Sequence, residues 1–223
     1  MVLNPAAFLM NLKRFIFVLF SFSLIAQESS NNIFSFKPAL GLNFCQVHGD
    51  SYSGYDKLGT FIGGSVNGRI NKKLSAEMGI YFSQKGSRHN PNPKIGDYSF
   101  YRLNLNYIDV PISCYYQLND NYFASLGPSI AYLISYSENI NYTDMTGMFK
   151  FNPIELGVNV GLGRKIKDEF YVEVRCSNSI STVRSYGVVS NVFYPNPVAQ
   201  FFNKGFYNNV ITLFVCYQIK VKK

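Results

Sequence analysis

The sequence predicts an all-β fold: an eight-stranded antiparallel up-and-down transmembrane β-barrel. Three observations predict it. The chain of 223 residues is 17% aromatic and only 15% charged, with 17 glycines and no tryptophan. Aromatics favour strands, glycine disfavours helices, and so little charge is the opposite of a disordered chain. Apolar residues then alternate with small or polar ones in run after run, the period of a two-faced strand. Short polar connections alternate with long ones, as in a meander of hairpins.

Taken in order, residues 1–26 read as a cleaved signal peptide. Lys13 and Arg14 precede an apolar run over 15–26 that ends at Ala26, before the polar Gln27-Glu28-Ser29-Ser30. The run is shorter than the roughly 20 residues of a spanning helix. Met10 offers a second start. Removing Lys13 and Arg14 with this segment lowers the net charge from +8 to +6. Residues 27–223 then form one barrel domain.

In the first strand Phe34, Phe36, Pro38, Leu40, Leu42 and Phe44 share a face, opposite Ser35, Lys37, Ala39, Gly41, Asn43 and Cys45. Leu58, Ile62, Val66 and Ile70 mark the second strand, and Leu74, Ala76, Met78, Ile80 and Phe82 the third. Ile108, Val110, Ile112 and Cys114 mark the fourth. It begins earlier, with Leu103, Leu105 and Tyr107, and the shift of apolar phase at Tyr107-Ile108 predicts a β-bulge. Tyr122, Ala124, Leu126, Ile130, Tyr132 and Ile134 give the fifth strand. Ile154, Leu156, Val158, Val160 and Leu162 give the sixth, and Phe170, Val172, Val174 and Cys176 the seventh. Ile211, Leu213, Val215, Tyr217 and Ile219 give the eighth. Polar turns are expected at 71–73, 118–121 and 165–169, and long loops at 48–57, 86–101, 136–151 and 182–207.

A soluble barrel of the lipocalin kind also alternates, with its apolar face inward. Here the polar face is mostly Gly, Ser and Ala, which suits the cramped interior of eight strands. The runs approach the roughly 9–11 residues of a tilted membrane strand. Phe, Tyr and Pro sit near strand ends, where interfacial girdles belong. The apolar face is therefore expected to meet lipid, with the termini and short turns in the periplasm.

Asn106-Tyr107-Ile108-Asp109-Val110-Pro111-Ile112, Ala124-Ser125-Leu126-Gly127-Pro128 and the run from Ile154 to Gly163 resemble the PorT-like outer-membrane β-barrel family of Bacteroidota. Val172-Glu173-Val174-Arg175-Cys176-Ser177 is similar to that family's acidic-x-Arg strand. The resemblance covers the mature chain in order and implies an eight-stranded barrel with periplasmic termini. It also implies a link to protein secretion or envelope function. The ending Tyr217-Gln218-Ile219-Lys220-Val221-Lys222-Lys223 departs from the terminal aromatic common in such barrels.

Inward positions hold Lys37, Arg69, Lys85 and Arg175 with Glu77, Asp109, Glu155 and Glu173. Unpaired buried charge is costly, so these are expected to pair across the lumen as a structural ionic network, with Arg69 in diagonal reach of Glu77. No catalytic residue, metal site or cofactor is expected: two histidines and four scattered cysteines supply no ligand set. The cysteines read as unpaired. An enzyme acting on lipid A is the alternative, with His48, His89, Ser51, Ser53 and Ser87 in loops but in no distinctive motif. A diffusion pore is disfavoured by the filled interior of eight strands. Nucleic acid does not suit the compartment. Outer-membrane lipid is the expected surrounding, and an envelope or secretion protein the expected partner. Lys72, Lys73, Lys165, Lys167, Lys220, Lys222 and Lys223 gather at the turn end, as a solvated rim or an attraction for an acidic periplasmic partner. The 182–207 loop is crowded with aromatics, and Phe193, Tyr194, Phe201, Phe202 and Phe206 are candidate partner-binding residues.

Overall fold

In a computed structural model that describes residues 34–185 and 204–220, the chain closes into an antiparallel barrel. Its long strands are β1 (Phe34–His48), β2 (Lys57–Arg69), β3 (Leu74–His89), β4 (Tyr101–Gln117), β5 (Tyr122–Ile140), β6 (Ile154–Lys165), β7 (Phe170–Ser179) and β8 (Gly205–Tyr217). Each pairs with the next, and β8 returns to β1 from Ala39↔Cys216 to His48↔Tyr207. Closure leaves no long edge strand, which matters where no water can satisfy backbone groups. The segment expected as a signal peptide lies outside the described residues.

One end carries short turns. Ile70 and Asn71 donate to Leu74 O, Leu118 and Asn119 to Tyr122 O, and Ile166 to Phe170 O. Asn71 and Asn119 each also accept turn N–H groups through the side-chain oxygen, the local bonding that makes asparagine a turn residue.

The apolar face is outermost. Leu40, Leu42, Ile62, Val66, Ile80, Ile112, Leu126, Ile130, Val160 and Leu162 are all exposed. Their inward neighbours Asn43, Ser65, Ser113, Ser125 and Asn159 are buried. The outward run Phe34 to Phe44 covers about 33 Å of strand, and a tilt of about 40° turns that into about 25 Å of height, the apolar band of outer-membrane barrels. Tyr116, Tyr122, Phe170 and Tyr217 stand exposed at the turn end, where an aromatic girdle meets the interface.

Toward the loop end the pattern inverts. Val47, Leu103, Leu105, Tyr107, Leu133, Phe151, Val183 and Phe206 form an apolar core inside the barrel, while Arg88, Arg102 and Ser137 face out. This inversion revises two sequence expectations, the strand that carries the bulge and the length of the loops. The phase shift at Tyr107-Ile108 does not interrupt β4, whose odd-numbered residues stay inward from Tyr101 to Tyr115. The interior changes from polar to apolar, and the orientation does not change. The bulge at that level lies across the ladder on β5: Asn106 pairs with Ser135 and Tyr107 with Leu133. Ile134 is thus the extra residue, and Ile134 and Ser135 both face out. The expected loops at 86–101, 136–151 and 182–207 also shorten. The strands continue above the band as a water-facing barrel, with β5 reaching Ile140 and β8 starting at Gly205.

All four cysteines are free. Cys216 stands opposite Ala39, six residues down β1 from Cys45, or about 20 Å along the strand. Cys114 and Cys176 share a height through Leu126 and Val160 but are separated by two strands. A disulfide needs Cα atoms within about 7 Å. A non-reducing digest is therefore expected to yield no disulfide-linked peptide; a linked pair would overturn the strand register.

Candidate functional site

The lumen at membrane level holds two polar networks beside a buried aromatic cluster of Phe61, Tyr81 and Phe214. The lower is centred on Tyr115 of β4. Its hydroxyl accepts from Arg175 Nη2 at 2.8 Å. With one proton to give, it lies 3.0 Å from Glu173 Oε2 and 3.2 Å from Glu77 Oε1. Arg175 Nε donates to Glu173 Oε1 at 3.0 Å, and Ser125 Oγ donates to the same oxygen at 2.9 Å. Glu77 receives Lys37 Nζ at 2.9 Å, Ser65 Oγ at 2.8 Å and Asn67 Nδ2 at 3.3 Å. Arg175 is 3% exposed and Glu173 2%, so both depend on these partners for what water no longer supplies.

Gly161 makes room for this cluster. It pairs with Ser125 on one side and Arg175 on the other. A Cβ there would collide with the Ser125 hydroxyl and the Glu173 carboxylate. Gly161→Val is expected to displace Glu173 and cost about 1–3 kcal/mol by overpacking, measured by denaturant titration in lipid vesicles. A parental midpoint would show that the cluster has slack.

The upper network is centred on Lys85. Its ammonium lies 3.0 Å from Glu155 Oε1, 3.4 Å from Asp109 Oδ2 and 4.9 Å from the Tyr107 ring centre. Asn208 Nδ2 donates to Glu155 Oε2 at 2.6 Å. Beside it a cavity of about 10 Å³ is lined by Lys85, Asp109, Asn159 and Arg175, room for a single water.

Seven of the eight predicted lumenal charges thus meet in two clusters. Arg69 does not. It ends β2 exposed at the mouth, and Glu77 takes Lys37 instead of it. A guanidinium at the mouth keeps its water, whereas the Lys37 ammonium is buried and, among the described residues, Glu77 is the carboxylate it pairs with. The seven comprise three cations (Lys37, Lys85, Arg175) and four carboxylates (Glu77, Asp109, Glu155, Glu173), and Lys57 of β2 is a further buried cation of the wall, toward the loop end. Lys85 is shared between two of the four.

A third cluster caps the loop end and was not foreseen. Arg184 donates to both oxygens of Glu138 at 2.8 and 2.9 Å, and Tyr101 OH adds a bond at 2.9 Å. The Arg184 guanidinium lies 3.8 Å from the Phe206 ring centre, with Phe149 and Phe151 also against it. Phe206 therefore faces the interior, 4% exposed, and is not a partner-binding loop residue: Gly205 and Phe206 pair with Ser185 and Arg184 as barrel wall. Phe193, Tyr194, Phe201 and Phe202 lie outside the described residues. Glu138 sits in a polar Ser-Glu-Asn stretch that reads as loop, and only its even spacing from Tyr136 and Ile140 marks it as inward.

At the loop end of β3, His89 Nε2 lies 2.6 Å from Oδ2 of Asp97 in the loop at 90–100, and its ring stacks on Tyr52 at 4.5 Å. Ser99 gives both its hydroxyl and its N–H to Asp97 Oδ1. These bonds and the histidine hold the Asp97 carboxyl down at about 2. Ser, Asp and His meet here, but the serine is on the aspartate and not on the imidazole that would have to take its proton. The arrangement is a loop clamp.

The model of the outer membrane protein beta-barrel domain family matches residues 25–184. No curated protein matches the chain. Among solved structures, Neisserial surface protein A is 12% identical, covering 86% of this chain and all of its own, with a TM-score of 0.50. Ail, the attachment invasion locus protein of Yersinia pestis, is 11% identical over 83% of this chain and 98% of its own, with a TM-score of 0.47. CarO of Acinetobacter baumannii is 13% identical over 81% of this chain and 96% of its own, with a TM-score of 0.42.

Proposed function

Because the chain belongs to the outer membrane protein beta-barrel domain family, we propose that it is a non-enzymatic outer-membrane anchor that presents its extracellular loops to a protein of the envelope. The observation that carries this reading is the filled lumen. Two ionic clusters occupy the membrane level and an apolar core closes the loop end, which disfavours a path for solutes. The chemistry left to meet a partner is at the two mouths. The resemblance to PorT-like barrels favours a partner in protein secretion, and the aromatic segment with Phe193, Tyr194, Phe201 and Phe202 is its candidate contact. Export through cleavage after Ala26 belongs to the same reading.

Cross-linking in intact outer membranes tests it. A photo-cross-linker at Phe201 or Phe202 is expected to capture one protein, and the same probe at Lys167 is expected not to. Replacing Phe201 and Phe202 by serine should abolish capture while the barrel stays folded. Vesicles containing the protein are expected to swell in sugar no faster than empty ones. Faster swelling would reinstate a pore, and altered lipid A on expression would reinstate the enzyme reading.

Topology is tested separately. Short turns in such barrels face the periplasm. Trypsin added to intact cells is expected to cut after Lys94, exposed in the loop at 90–100, and to spare the equally exposed Lys167 in the turn after β6. Cleavage at Lys167 from outside would reverse the orientation.

A further inference from the structure

At the turn end the described residues leave the lumen open. A cup of about 370 Å³ lies between the hairpin turns, within the range of small-ligand sites. Its rim carries Arg69, Lys72, Lys73 and Lys165 against one carboxylate, Asp120. Lys165 is engaged by Asp168 at 3.2 Å. Arg69, Lys72 and Lys73 have no ion-pair partner among the described residues. The floor differs from the rim. It consists of the rings of Tyr115, Phe123 and Tyr171 with the amides of Gln117 and Gln218. The Lys37 ammonium lies beneath, 5.1 and 5.3 Å from the Tyr115 and Tyr171 ring centres.

We propose that this cup binds an acidic peptide segment of a periplasmic partner. The rim cations raise the local concentration of carboxylates. Gln218 is held by the Tyr171 hydroxyl and Ser35, whereas Gln117 gives one N–H to Asn119 O and has an amide oxygen that can accept from a peptide N–H; the rings offer apolar contact to a side chain. Phosphate is better served by arginine forks or nests of backbone N–H groups, and this rim has one arginine. The opening is bounded by the hairpin turns, so it admits a chain segment and not a folded face. What the extracellular loops bind does not bear on this.

The test uses the mature barrel in phosphatidylcholine nanodiscs, where both mouths meet solvent. Fluorescein-labelled pentaglutamate is the probe, read by anisotropy at low salt. Saturable binding is expected, weakened about tenfold or more by joint Arg69→Gln, Lys72→Gln and Lys73→Gln, since each exposed pair contributes modestly. Ser75→Phe, which fills the cup without changing charge, is expected to abolish binding. Neutralising Lys94 and Arg102 at the other end should leave it unchanged. Folding of each variant is read from heat-modifiable migration, and Gln117→Phe replaces Ser75→Phe if that variant does not fold. Absence of binding, indifference to the rim substitutions, or survival of binding in the filled cup would each overturn the proposal. So would inorganic tripolyphosphate binding more tightly than the peptide, which would make the cup a phosphate site.

Discussion

Arg175→Met is expected to cost about 3–5 kcal/mol, because removing one partner of a buried pair leaves the other charge uncompensated. Glu173 would keep only Ser125 and the Tyr115 hydroxyl, and Tyr115 would lose the donor that fixes its orientation. The loss would spread to Glu77 through the same hydroxyl. Guanidinium titration in lipid vesicles, followed by heat-modifiable migration, reads the change. Two companions separate charge from shape. Adding Glu173→Gln to Arg175→Met should recover most of the loss, since removing both charges of a buried pair is often near neutral. Arg69→Gln should stay within about 0.5 kcal/mol, as a solvated mouth residue with no ion partner. Equal midpoints for Arg175→Met and the parent would mean that the lower cluster does not hold the barrel together.

The contrast between Arg175 and Arg69 also marks how far the sequence can be read. Alternation placed both on the inward face, because the period of a strand is strictly two. It says nothing of height along the barrel, and height decides whether an inward arginine is sealed or wet. The strands themselves were legible because lipid outside and mostly small or polar residues inside give the membrane-level runs a common signature, blurred where Phe61, Tyr81 and Phe214 turn inward. Above the band that signature reverses. Leu103, Leu105 and Tyr107 turn inward as a core, so apolar phase tracks a change of solvent there and not a break in the strand. The same reversal hid the upper parts of β5 and β8, and with them the Glu138–Arg184 pair. Tyr115 was missed for another reason. As one aromatic in a Tyr115-Tyr116 pair near a strand end, it reads as girdle, and only closure brings its hydroxyl between Glu77 and Glu173.

Leu126→Arg and Val158→Arg are each expected to cost about 2–4 kcal/mol, the penalty for a cation near the midplane of the lipid face. Leu126 is 58% exposed and Val158 37%, and their cross-strand neighbours Cys114, Val160 and Pro128 also face out. Among the described residues the exposed carboxylates lie in turns and loops, and none stands on that face near Leu126 or Val158 to receive the guanidinium. Only snorkelling toward an interface relieves it, and near mid-height neither interface is close. The same change at Asn104, outward on β4 above the inversion, should fall within about 0.5 kcal/mol, as on any watered surface. Refolding into vesicles and titrating with guanidinium gives all three values on one scale. If Leu126→Arg and Val158→Arg match the parent, the apolar face does not meet lipid and the barrel is inside out. If Asn104→Arg costs as much as they do, the upper wall lies within the bilayer, and the exchange of polar for apolar at Tyr107 is not where water begins.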